Sequence, residues 1–343
     1  LNKSRVARLL AAAFVSTSVL LPSCQKPSAE ASFYFWRTKA LLSPGEREAL
    51  NTHKVSTLYV RLFDVDTKTE NGRPEPLGVI DSLERLPAQL TVIPVVFITN
   101  RTFLRLKADT EAMALAGKVL KKVHGLRASY PELQIDCDWS DKTKARYFLF
   151  LQTLKQQLPS STKLTATIRL HQIKYPVRTG VPPVDGGMLM FYNMGNLQDA
   201  GAANSIFDAS TASAYTPYLK SYALHLDAAL PIFRWYVHYR NGVVKGLVTK
   251  KQLPEVADTS YFYSGGEPVH TLKKAAVLHG VSYEAGDVLK YEAIDDDLLL
   301  QAAGLLQKSL PIEHRRLVLY DLDDINLHYY ENKTLQQVYS AFR

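Results

Sequence analysis

Short apolar runs alternate with helically spaced stretches through most of the chain. Eight runs read as strands: residues 33–37 (FYFWR), 57–64 (TLYVRLFD), 90–99 (LTVIPVVFIT), 133–139 (LQIDCDW), 164–171 (LTATIRLH), 187–193 (GMLMFYN), 230–236 (LPIFRWY) and 316–322 (RLVLYDL). Between them, Ser43 and Pro44 open a helix over 45–50, and 109–126 carries a 3.6-residue apolar period. Residues 141–158 set Phe148, Leu151, Leu154 and Leu158 on one helical face, and further helices are predicted over 215–226, 295–308 and 334–342. This order predicts an α/β fold of the (β/α)₈ barrel type. Residues 241–310 are too long for one βα unit and read as an insertion of short strands and a helix between strands seven and eight. The rival, an open α/β sheet, needs a switch-point crevice, and no Gly-rich phosphate loop marks one.

Alternation along the fourth strand puts Gln134, Asp136 and Asp138 on one face and Leu133, Ile135, Cys137 and Trp139 on the other. The apolar face suits packing under helices. The polar face suits the barrel mouth, where active sites of such barrels lie. The same parity turns Arg169 and His171 inward with Thr165 and Thr167, and turns Arg61 inward on strand two. Ion pairing follows. Asp136, one layer deeper, is expected to pair with Arg61 or Arg169 and hold the shape of the site. Asp138, the last acid before the helix, is expected to be the functional centre, and Ser140 to be the helix N-cap.

All three tryptophans, Trp36, Trp139 and Trp235, fall near predicted strand ends, where ring faces can stack on sugars. Strand six ends in Met190-Phe191-Tyr192-Asn193, and strand eight runs into Asp321-Leu322-Asp323-Asp324. That acidic run serves either as a solvated turn or as an acid across the cleft from Asp138. The expected catalytic groups are therefore Asp138, Asp136, Tyr192 and Asp321. Substrate contacts are expected from Trp36, Arg61, Trp139, Arg169, His171, Asn193, Trp235 and Asp323. Glycosidic chemistry asks for two carboxyls about 5 to 9.5 Å apart, and strand rise separates Asp136 from Asp138 by about 7 Å. Both come from one side of the cleft, so an acid from strand eight fits better. Asp136, Asp138, His171 and Asp321 could converge on a cation, but no HxH or HExxH spacing supports it, and neither a metal nor a cofactor is expected.

The first residues read as a processing signal. An apolar run over 9–21, too short to span a bilayer, follows Lys3, Arg5 and Arg8. It closes with Leu21-Pro22-Ser23-Cys24, which resembles the lipobox of bacterial lipoproteins. That resemblance implies cleavage before Cys24 and its lipidation. Residues 1–24 are then the signal, 25–31 a polar tether and 32–343 the barrel domain, held on a membrane of the bacterial cell envelope and facing the periplasm or the outside. Cys137 is then the one cysteine left, so no intrachain disulfide framework is possible. Without Lys3, Arg5 and Arg8 the formal charge of +8 falls to about +5. No basic cluster interleaved with aromatics argues for nucleic acid, and a monomer is expected.

The barrel outline and two short motifs resemble glycoside hydrolase family 18, the chitinase-like type. That family carries DxxDxDxE at the end of strand four and M-x-Y-[DN] on strand six. Asp136-Cys137-Asp138-Trp139 matches part of the first motif, and Met190-Phe191-Tyr192-Asn193 matches the second. The resemblance implies a glycan partner, with Asp138 orienting the substrate and Tyr192 assisting. The pattern departs at two positions: Leu133 replaces the first aspartate, and Ser140 stands where the family has its acid glutamate. The expected function is hydrolysis of a glycosidic bond, with another carboxylate such as Asp138 or one from Asp321 and Asp323 supplying the acid; the alternative is a catalytically inactive barrel that binds glycans without cleaving them. A structural or assembly lipoprotein is the remaining alternative.

Overall fold

The computed structural model describes residues 30–67, 72–198, 204–266, 268–310 and 315–341. Cys24 and the whole predicted signal lie outside the described residues. Eight parallel strands close on themselves: β1 (Glu30–Phe35), β2 (Thr57–Asp66), β3 (Thr91–Ile98), β4 (Glu132–Asp136), β5 (Lys163–Arg169), β6 (Gly186–Met190), β7 (Leu226–Pro231) and β8 (Arg316–Tyr320). Phe33 of β1 pairs with Leu58 of β2 on one side and with Leu319 of β8 on the other, which seals the ring. The strands read as continuous apolar runs because helices such as Asp109–Leu126 and Lys144–Gln157 cover their outer face.

Polar side chains line the floor of the barrel, where Glu132, Gln134, Thr165 and Arg316 border a cavity of about 280 Å³. Arg316 donates to Tyr59 Oη at 2.9 Å and to Glu132 Oε2 at 2.7 Å, and Thr165 donates to Glu132 Oε1 at 2.7 Å. One layer up, Tyr34 donates to Gln134 Oε1 at 2.5 Å. These bonds pair most of the buried polar groups, while Gln134 Nε2 has no hydrogen-bond partner among the described residues.

Between β7 and β8 the chain forms an antiparallel sheet in the order Val243–Thr249, Arg234–Arg240, Val288–Ala293, Val269–Thr271, with its own small core around Tyr236, Phe262 and Leu289. Strand seven therefore differs from the expectation. Residues 230–236 straddle the end of β7 and the start of the Arg234–Arg240 strand. Leu226-Asp227-Ala228-Ala229 carries no β-branched or aromatic residue, so its strand character comes from its place between β6 and β8. The predicted helix over 215–226 is instead a helix Ala209–Tyr215, capped by Asp208 on the Thr211 N–H at 2.7 Å, and a turn Thr216–Ser221.

Several strands stop earlier than their apolar runs. β4 ends at Asp136, β5 at Arg169 and β6 at Met190, so Asp138, His171, Tyr192 and Asn193 stand on the segments that follow. Ser140 is not the N-cap. The next helix begins at Lys144 with Thr143 at its cap, and the Ser140 N–H donates to Thr143 Oγ1 at 2.8 Å.

Candidate functional site

The C-terminal ends of β4, β5 and β6 bring the predicted acids and the arginine together. Asp136, the last residue of β4, is buried and accepts a hydrogen bond from Thr167 Oγ1 of β5 at 2.7 Å. Burial raises its pKa to about 6; Arg169 opposes that shift and Asp138 adds to it. Asp138 lies two residues on, with its side chain 55% exposed. Arg169, at the end of β5, grips it with two bonds, Nε to Oδ1 at 2.5 Å and Nη2 to Oδ2 at 3.2 Å. The fork-on-fork geometry fixes both side chains. The expected pairing is thus corrected: Arg169 bonds Asp138 rather than Asp136. Arg61 bonds neither, because it holds Asp64 with two bonds of 2.6 Å and donates to the Gly78 carbonyl at 3.0 Å.

Tyr192 completes this wall. It is buried, its hydroxyl donates to Met190 Sδ at 3.1 Å, and its ring centroid lies 5.9 Å from the Arg169 guanidinium. Asn193 follows with φ 55°, a left-handed conformation that asparagine tolerates better than most residues. It is exposed, and its N–H donates to the Ile206 carbonyl at 2.7 Å. His171, expected on a strand facing inward, is instead exposed on the helix Leu170–Lys174 at the rim. Asp138, Arg169, His171, Tyr192, Asn193 and Tyr215 line one open cavity of about 360 Å³.

The tryptophans separate. Trp36 packs at the mouth, with ring centroids 6.0 Å from Tyr34, 6.4 Å from Phe97 and 5.5 Å from Tyr320, and stays partly exposed. Trp139 is buried on the outer face of the barrel. It stacks on Tyr147 at 5.3 Å and donates from Nε1 to the Thr179 carbonyl at 2.9 Å, which removes it from substrate contact. The strand parity that turns Asp138 inward turns Trp139 outward. Trp235 is also buried, on the antiparallel sheet, where Nε1 donates to Glu292 Oε2 at 3.0 Å. It backs Phe233 at 5.0 Å, and Phe233 in turn meets Tyr192 at 5.6 Å and Tyr320 at 5.8 Å. Phe233 and Tyr320 are mouth aromatics missed by sequence reasoning. Phe233 was hidden inside the misplaced strand seven; Tyr320 carried a usable signal as the last aromatic of strand eight.

The strand-eight acids are engaged elsewhere. Asp321 is 2% exposed and accepts from Lys250 Nζ at 2.6 Å and from Asn326 Nδ2 at 2.7 Å; burial raises its pKa. Asp323 accepts from the Ile325 N–H at 3.0 Å as a helix cap and stands 3.4 Å from Lys250. Neither supplies a free carboxyl across the cleft. Among the described residues, no group of three or more His, Cys, Asp or Glu is placed to hold a metal ion, so Asp136, Asp138, His171 and Asp321 form no cage. Ser140 is hydrogen-bonded with Asn100 at 3.4 Å and Thr143 at 3.2 Å. Asp136, which burial raises to about 6, is a carboxyl at the mouth whose pKa approaches neutrality.

No family model matches this chain, and no curated protein matches it. Solved structures do resemble it in fold. The spore cortex-lytic enzyme SleL of Bacillus cereus is 14% identical with a TM-score of 0.54, over 92% of this chain and 75% of that one. A chitinase from Chromobacterium violaceum is 14% identical with a TM-score of 0.52, over 91% of this chain and 99% of that one. A class V chitinase from Pseudomonas fluorescens is 14% identical with a TM-score of 0.54, over 90% of this chain and 99% of that one. At such identities the likeness is one of fold, a (β/α)₈ barrel.

Proposed function

We propose that this chain is a carbohydrate-active barrel that takes a glycan at the C-terminal mouth. The observation that carries the reading is the open cavity bounded by Asp138, Arg169, Tyr192 and Asn193. Three of these four residues belong to the two motifs shared with the chitinase-like family. Asp138 and the Arg169 fork offer acceptors and donors to sugar hydroxyl and amide groups, and Trp36 offers an aromatic ring at the same mouth.

Two readings of the chemistry follow. Ser140 has no carboxyl, so glycan binding without cleavage by the family's usual acid is the first. Hydrolysis with Asp136 as the proton donor is the second, and a pKa of about 6 favours it, because a general acid works best near the ambient pH. Binding to a panel of neutral and acidic oligosaccharides, scored with release of reducing ends, separates them. Asp138→Asn should lose at least about tenfold in affinity, a difference of about 1.4 kcal/mol. Its melting should stay nearly constant, because the Asp138 side chain is 55% exposed and asparagine keeps an oxygen for Arg169. If bound sugars are cleaved, Asp136→Asn should stop cleavage while binding persists. Unchanged binding by Asp138→Asn, or no binding to any sugar of the panel, overturns the reading.

The same proposal places the barrel on the bacterial cell envelope through a lipid on Cys24. The basic flank, the apolar run and Leu21-Pro22-Ser23-Cys24 support it. Metabolic labelling with a fatty-acid analogue should mark the wild type and not Cys24→Ser, and the variant should leave the membrane fraction. Unlabelled, soluble wild-type protein contradicts it.

A further inference from the structure

The mouth continues outward past Tyr215. The helix Leu170–Lys174, which follows β5 and precedes the turn Pro176–Thr179, meets the helix Ala209–Tyr215 and the turn Thr216–Ser221, which follow β6. At that seam Lys174 Nζ lies 5.5, 5.0 and 5.7 Å from the ring centroids of Tyr175, Tyr215 and Tyr218. Tyr175 and Tyr218 are 43% and 40% exposed, and Tyr215 also lines the mouth cavity, so rings and pocket form one continuous surface.

The charge on this rim is unbalanced. The Arg178 guanidinium lies 5.0 Å from the Tyr175 ring centroid, and Lys144 Nζ donates to the Arg178 carbonyl at 2.7 Å. Asp141, 3.7 Å from Arg178, is the carboxylate that faces them. Among the described residues Lys174 makes no ion pair. Among the described residues the one ion pair here is therefore Arg178 with Asp141, and the ammonium among the rings is held by ring faces alone. A neutral sugar stacked on the tyrosines would leave that ammonium without an anionic partner. A sugar bearing a carboxylate would satisfy both the rings and the charge.

We infer that this rim is a second subsite, that the glycan runs from the mouth cavity across Tyr215 onto Tyr175 and Tyr218, and that it is acidic, with Lys174 meeting a carboxylate of the chain. The inference rests on the glycan reading above and adds the class of glycan and its path. Deeper in, Arg169 is already bonded to Asp138, so the acidic group is read at Lys174, outside the pocket.

The test titrates the full-length protein, kept in detergent, with short and long uronic-acid oligosaccharides, with their carboxyl-reduced neutral counterparts and with a polyglutamate peptide of equal charge. The acid form should bind about tenfold tighter than the reduced form, a gap that narrows in high salt. Lys174→Gln should close the gap. Tyr175→Ala and Tyr218→Ala should weaken the long oligosaccharides about threefold to tenfold and leave the short ones unchanged, with melting unaltered in all three. Equal binding of acid and reduced forms, still abolished by Asp138→Asn, overturns the acidic assignment and keeps the glycan reading. Tighter binding of polyglutamate than of any sugar overturns the choice of occupant. Binding of no oligosaccharide at all overturns the glycan reading itself.

Discussion

Asp136 holds its proton more tightly in the folded chain than an unfolded carboxyl would, because burial penalises its charged form. A folded pKa of about 6 stands against an unfolded value of about 3.9. The stability this gives is intact below about pH 4 and is lost as the pH rises through about 6. The wild type should therefore lose up to about 3 kcal/mol relative to Asp136→Asn between about pH 4 and pH 7. Denaturant unfolding of both proteins across that range measures it; a pH-independent difference contradicts the raised pKa. The expectation of a structural Asp136 pairing with an arginine would instead have made Asp136→Asn destabilising at neutral pH. Strand parity put Asp136 and Asp138 on the right face, but it carries no information on partners. Partners follow from the register of β4 against β5, in which Gln134 pairs with Thr165. The same offset sets Asp136 beside Thr167 and Asp138 beside Arg169. Register is a long-range property, invisible in either strand alone.

At the scale of elements, Lys250 ties the antiparallel sheet to the barrel. Lys250, just after the strand Val243–Thr249, reaches Asp321 beyond the end of β8 at 2.6 Å. Asp321 is almost fully enclosed, so removing its partner leaves a buried charge unpaired. Lys250→Met should destabilise by about 3–5 kcal/mol, and adding Asp321→Asn should restore most of that loss. Urea unfolding of the two single variants and the double variant measures the cycle; additive losses contradict a paired role. Seven of the eight barrel strands were legible because doubly covered parallel strands leave long apolar runs. Strand seven was not, because Leu226-Asp227-Ala228-Ala229 looks like the end of a helix, while the louder run after it belongs half to the neighbouring sheet. The strand-eight acids were legible as a cluster. That they serve Lys250 and a helix cap depends on the packing of a distant segment.

At the scale of the whole molecule, the barrel has a floor and a mouth, and β1 starts at the floor. β1 begins at Glu30, only six residues after Cys24. An extended chain of that length spans about 20 Å. If Cys24 is lipidated as proposed, the floor faces the membrane and the mouth faces away. A bulky maleimide applied to the membrane-bound protein should then label Arg178→Cys at the rim much faster than Lys163→Cys at the start of β5. Equal rates contradict this orientation; the native Cys137 is buried and should not interfere. The closed barrel itself was legible from the order of runs and spacings alone, since a strand–helix alternation repeated eight times has few other ways to bury its apolar faces. What the mouth does was legible only as far as its residues, because the resemblance carried by two short motifs left the acid of the reaction open. The most direct test of the account is a structure of the protein bound to the oligosaccharide it binds best. The account predicts a sugar ring in the cavity of β4, β5 and β6, hydrogen-bonded to Asp138 and Arg169 and in contact with Tyr192. A sugar seated on the antiparallel sheet or at the barrel floor, with the mouth empty, would contradict it.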